Sequence, residues 1–356
     1  MRAERATAAG RLAVRHPARW FVGGALAVGL VIVVGVSIGP AGPPAWRVPL
    51  ALLDRLPLIS IDSGVSQAEW NIIWQIRMPR VLLGALVGGM LSAAGASYQG
   101  VFRNPLVDPY LLGAAAGAGL GATVAFTVAR QATAGWPVDP VPIIAFCAAI
   151  LTVTVTYLVG GAFGPATGSG PTLVLAGVAV VAFATAVQTW LLQRNVDVVR
   201  EVYSWILGRL SSATWSDVGL VIPYVAVSAV VLVLLRRPLD VLRVGDDEAT
   251  TLGMSVARTR LVIVIAATLG TAAVVSVSGL IGFVGLIIPH AVRMVIGASY
   301  RMVVPMSLFV GACFLILADI PGRTVQGGAE TPIGVVTAFL GAPFFVYLLR
   351  RQQVRR

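Results

Sequence analysis

The sequence predicts an all-α polytopic membrane protein with about ten transmembrane helices, on three observations. Of its 356 residues, 57% are hydrophobic and 12% charged, about half the charged share of a soluble domain. Mean hydropathy is +0.88. Apolar stretches long enough to cross about 30 Å of hydrocarbon recur at 20–38, 81–99, 110–129, 141–160, 172–192, 218–235, 261–278, 280–297, 303–320 and 333–349. Ten spans put both termini on one side. With that side cytoplasmic, the inner segments carry 17 arginines and 6 acids and the outer ones 9 and 9. The arginine excess obeys the positive-inside rule.

Residues 1–19 hold arginines at 2, 5, 11, 15 and 19 and read as a cytoplasmic segment. A signal peptide has an apolar region of about 7–15 residues, shorter than 20–38, so this run is the first span. The proline-rich 39–75 reads as an outer loop. Residues 20–349 form a single ten-helix transmembrane domain, and 350–356 a cytoplasmic tail. Small residues crowd spans two and three (Gly84, Gly88, Gly95, Gly117, Gly121), a spacing for close helix packing rather than a nucleotide loop. In 194–217, Val199, Val202, Ile206 and Leu210 share a helical face, with Trp205 and Trp215 near interface level. That segment lies at the membrane surface or roofs a pore mouth.

The longest polar interruption spans 238–260, between spans six and seven. Asp246, Asp247 and Glu248 suit a helix's first turn, where free amides and the macrodipole favour negative charge. Gly253 suits its left-handed close. The result is a helix of about two turns, either a docking knob for a soluble partner or a solvated loop.

Every one of the 26 basic residues is arginine. Without lysine there is no P-loop, so any ATP-driven work needs another chain. Cys147 and Cys313 lie in apolar spans, and two histidines, His16 and His290, do not suggest a metal centre. No span carries a mid-membrane acid, unlike ion-coupled carriers. No paired acids or nucleophile–base set points to an enzyme. The net charge of +11 sits on the inner face, and no nucleic-acid partner is expected.

Six ordered blocks carry a family resemblance. They are Ile76-Arg77-Met78-Pro79-Arg80, 97–113 with Arg103-Asn104-Pro105-Leu106, Trp205-Ile206-Leu207-Gly208, 239–253, 278–293, and Ala318–Arg323 with 332–349. They resemble the FecCD-type permease subunits of binding-protein-dependent ABC importers for iron chelates, haem and cobalamin, across about 70–349. Arg209 and Pro321-Gly322 depart from the family pattern.

The resemblance implies the type II ABC importer permease fold in a cell membrane. It implies a second, identical permease subunit, two ATPase subunits and an extracytoplasmic substrate-binding protein, besides the lipid bilayer. No cofactor would be bound by this chain, ATP and Mg being held by the ATPase. Gly245, Asp246, Asp247, Glu248, Ala249, Leu252 and Gly253 would couple to that ATPase. Asn104 and Leu106 match a cytoplasmic gate, or form a plain turn, and 164–172 would add a constriction. Arg77, Arg80 and Arg323 match binding-protein docking positions, although Arg77 and Arg80 could snorkel to head groups and Arg323 could pair with Asp319 four residues away. The implied function is import of a metal chelate, a ferric siderophore or haem, with cobalamin as the alternative. A secondary carrier or channel is the rival from another class.

Overall fold

Side-chain caps and prolines start several helices in the computed structural model, which describes residues 17–55, 62–129, 139–161, 170–325 and 330–353. The arginines at 2, 5, 11 and 15 and most of 164–172 lie outside them. Ser66 accepts from the Glu69 amide while the Glu69 carboxylate accepts from the Ser66 amide at 2.9 Å, a reciprocal cap. Thr214 and Asp217 repeat it. Asp139 caps the helix opened by Pro140, whose fixed φ suits a first turn.

All regular elements among the described residues are helices. In chain order they are α1 (Pro17–Ser37), α2 (Arg47–Asp54) and α3 (Gln67–Asn71), which passes through a π-helical turn (Ile72–Arg77) into α4 (Met78–Val101). Then come α5 (Ala114–Val124), α6 (Pro140–Val159), α7 (Gly170–Arg194), α8 (Val199–Ile206), α9 (Trp215–Leu234), α10 (Arg236–Leu242) and α11 (Asp246–Thr251). Last are α12 (Val256–Ser278), α13 (Val284–Ile296), α14 (Tyr300–Thr324) and α15 (Ile333–Gln353).

A helix lies on each of the ten apolar stretches. By length and composition seven can cross a membrane: α1, α3–α4, α6, α7, α9, α12 and α14. The three shorter apolar helices include α13, whose 13 residues rise about 20 Å and do not reach across hydrocarbon. The expected continuous span 280–297 is therefore broken. Gly279 (φ +70°) closes α12 and Phe283 (φ +69°) also turns left-handed. Between them the chain leaves the helix and bonds elsewhere: Ile281 donates to the Tyr110 hydroxyl at 3.1 Å, while Ser278, the last residue of α12, accepts from the Arg209 amide at 2.7 Å.

Buried along nearly its whole length, α4 is the axis against which α14, α12, α13 and α9 pack. Two glycines allow that approach. A Cβ at Gly88 would strike the Gly311 carbonyl of α14, and one at Gly95 the Gly285 carbonyl of α13. Small residues here serve close backbone packing. Gly117 and Gly121 do the same for α5 against α6.

Candidate coupling, gating and translocation site

At one end of the bundle, α10 and α11 form a short helical elbow. Asp240 of α10 accepts from Ser299 Oγ and the Tyr300 amide, both at 2.7 Å, so it caps α14 from outside that helix. Arg243 donates to the Ala298 carbonyl at 3.2 Å. The six-residue α11 begins with Asp246, Asp247 and Glu248 and is followed by Gly253 in a left-handed conformation (φ +81°). Gly245 precedes it without a side-chain cap, so the three acids complement its free amides through the dipole alone. Asp246 Oδ1 accepts from Arg260 Nη2 at 2.7 Å and pairs with Arg103 Nη2 at 3.2 Å. Ala249 faces inward, fully buried, while Val244 and Leu252 stand about 70% exposed.

Arg103 belongs to the turn after α4, which carries Asn104 and Leu106. Asn104 Oδ1 accepts from the Leu106 amide at 3.0 Å, and the Asn104 amide donates to the Gln99 carbonyl at 3.2 Å. Leu106 is half-exposed. Behind the turn, Gln99 is buried: its Nε2 donates to the Val107 and Gly285 carbonyls, and its Oε1 accepts from Arg293 Nη1 at 2.6 Å. The two predicted groups, 245–253 and 104/106, thus meet through one ion pair. The ring of His290 lies edge-on to Phe344 at 6.4 Å.

At the opposite end, Arg77, Arg80 and Arg323 are not the exposed docking heads expected of them. All three are buried, at 5, 8 and 6% exposure. The C-terminal carbonyls of α1 have no partners within their helix. Arg77 donates to Val36 and Ser37 at 3.0 and 3.2 Å and also to Ala41, while Arg323 donates to Gly35 at 2.7 Å. Arg80 grips Asp319 through two bonds of 2.8 and 2.9 Å and Glu330 at 2.9 Å. Arg323 Nε also sits 3.6 Å from Asp319, the i,i+4 pairing read from sequence. The three hold α1, α4 and α14 together.

Sequence reasoning missed an apolar cavity of about 640 Å³. It is lined by Ile206 at the end of α8 and Leu207 just after it, Leu280 and Gly282 of the broken segment, and the α15 face from Gly334 to Pro343. Its wall is stitched by the Gly334 amide to the Leu207 carbonyl at 3.0 Å. Only the glycines at 208, 279, 282 and 334 hinted at it. From the α8 segment, Ile206 and Leu207 line this cavity, and Trp205 is fully buried.

The FecCD transport family model matches residues 21–351. The cobalamin import permease BtuC of Halobacterium salinarum is 40% identical over 297 residues, covering 83% of this chain and 78% of its own. The hemin transport permease HmuU of Yersinia pestis is 33% identical over 92% of this chain and 95% of its own. A solved inward-facing ABC transporter, described as of metal-chelate type, superposes with TM-score 0.78 at 27% identity, over 93% of this chain and 98% of that one. With that fold, these apolar helices and this family match, the chain is a multi-pass membrane permease subunit belonging to the FecCD transport family.

Proposed function

We propose that two copies of this chain enclose the path of an ATP-driven importer, which carries a metal chelate from an extracytoplasmic binding protein into the cytoplasm. One observation carries the reading: the exposed helix α11 and the exposed turn 103–106 sit together at one end and are joined by the Asp246–Arg103 pair. Two separate ATPase subunits dock there on Val244, Leu252 and the acids of α11. That end is cytoplasmic, as the arginine excess supports, and both termini lie on the same side. Asn104 and Leu106 form the gate.

The binding protein meets the far end. Arg77, Arg80 and Arg323 are engaged internally, so their part is to hold the docking face in shape. The cavity walled by α15 is apolar, which suits a large ligand selected upstream by that binding protein. A ferric siderophore or haem and a corrinoid all fit that class. The 40% identity to a cobalamin permease favours the corrinoid as the first to test.

Vesicles carrying the chain with its ATPase and binding protein should take up cyanocobalamin, ferrichrome or hemin only with ATP. Uptake that follows an ion gradient and ignores ATP would establish the secondary-carrier alternative instead.

A further inference from the structure

Arg103 adopts a left-handed backbone (φ 51°), a conformation a glycine takes without strain. Residues held there against preference are constrained by something they do. What Arg103 does is reach Asp246, with side-chain exposures of 43% and 40%. Asp246 is itself anchored by the better-covered Arg260 of α12's first turns, at 2.7 Å. One carboxylate oxygen therefore joins three elements: α11, α12 and the turn after α4.

Most of the turn's other hydrogen bonds are local. Asn104 and Leu106 bond within it, and Gln99 pins its far side to α13 through the Gly285 carbonyl. The turn hangs between a buried post, Gln99, and an exposed one, Asp246. An exposed pair at 3.2 Å exchanges readily with water, so it can break and re-form as α11 moves.

We propose that Asp246 and Arg103 are positioning residues that form the strut by which α11 displaces the 103–107 turn. This rests on the reading of α11 as the ATPase-docking helix and of the turn as the gate.

The test places a spin label at Leu106→Cys in a Cys147→Ala, Cys313→Ala chain assembled with its ATPase, and compares label mobility without nucleotide and with ATP plus vanadate. The labelled reference should respond. Arg103→Gln and Asp246→Asn should each reduce that response at least about fivefold, and the double variant should lose no more. Arg103→Lys should keep most of it. ATPase co-purification and unfolding temperature of Arg103→Gln should match the reference. If that variant is instead less stable, Arg103→Lys decides, retention supporting the strut and loss overturning it. A full response in a well-folded Arg103→Gln overturns the strut and leaves the importer reading standing. No response in the reference overturns both the strut and the gate role of the turn.

Discussion

The two ends of α4 carry ionic clusters of opposite character. Near its start, Arg80, Asp319 and Arg323 are all under 10% exposed and bonded in several directions. Beyond its end, Arg103 and Asp246 share one contact at 3.2 Å with about 40% of each side chain open to water. Removing one partner of a buried cluster leaves an uncompensated charge and costs about 3–5 kcal/mol. An exposed pair contributes about 0.2–1 kcal/mol. Arginine–carboxylate chemistry thus fixes one end and leaves the other free to change partners, as the proposed docking face and the proposed gate each require.

The largest expected effect comes from the buried end. Arg80→Ala should destabilise the chain by about 3–5 kcal/mol, because Asp319 stays buried without its two bonds. Denaturant unfolding in detergent would measure it. An Arg80→Ala chain of unchanged stability that loses only binding-protein affinity would restore the exposed-docking reading. Next comes the packing beside that axis: Gly95→Ala should cost about 1–3 kcal/mol, since the Gly285 carbonyl occupies the new methyl's place. Stability equal to the parent's would mean that α4 and α13 can separate freely.

Asp108, in the turn region between α4 and α5, tests how far the gate end is desolvated. Burial pushes its carboxyl up to about 6, against the pull of the Tyr110 amide it accepts from at 2.9 Å. A folded value above the unfolded one means that this group's contribution is greatest when protonated and is lost as pH rises from about 4 through 6. Asp108→Asn keeps the acceptor without the charge. It should therefore be more stable than the parent by about 3 kcal/mol at pH 7, the difference vanishing below about pH 4. A constant difference across that range would mean an ordinary, solvated carboxyl.

The sequence-to-structure match follows the same division. Runs of apolar residues reveal where helices lie, because hydrocarbon demands them, and three acids with a following glycine revealed α11. Composition could not see that 280–297 breaks, since Gly279 and Phe283 change φ without changing hydropathy. Nor could it place Arg80: its partners lie 239 and 250 residues away, and a lone arginine beside an apolar run reads as surface. The Asp319–Arg323 pair was legible because its spacing is local. The cavity was not, as three distant segments wall it.

The smallest expected effect separates the two terms at Arg103. Replacing it with alanine removes the Asp246 pair, worth about 0.2–1 kcal/mol, and keeps a side chain in the left-handed backbone. Replacing it with glycine removes the same pair but relieves the backbone, by about 1–2 kcal/mol. Glycine also loosens the unfolded chain, which opposes part of that gain by about 0.4–1 kcal/mol. The glycine variant should therefore be more stable than the alanine variant by about 0.5–1 kcal/mol, and close to the parent. Both should lose the nucleotide response at position 106 equally, because neither can reach Asp246. Paired unfolding curves decide the first point and spin-label mobility the second. An alanine variant as stable as the glycine one would show that the turn relaxes out of its left-handed conformation once the arginine is gone, so that the ion pair, not the surrounding backbone, imposes it.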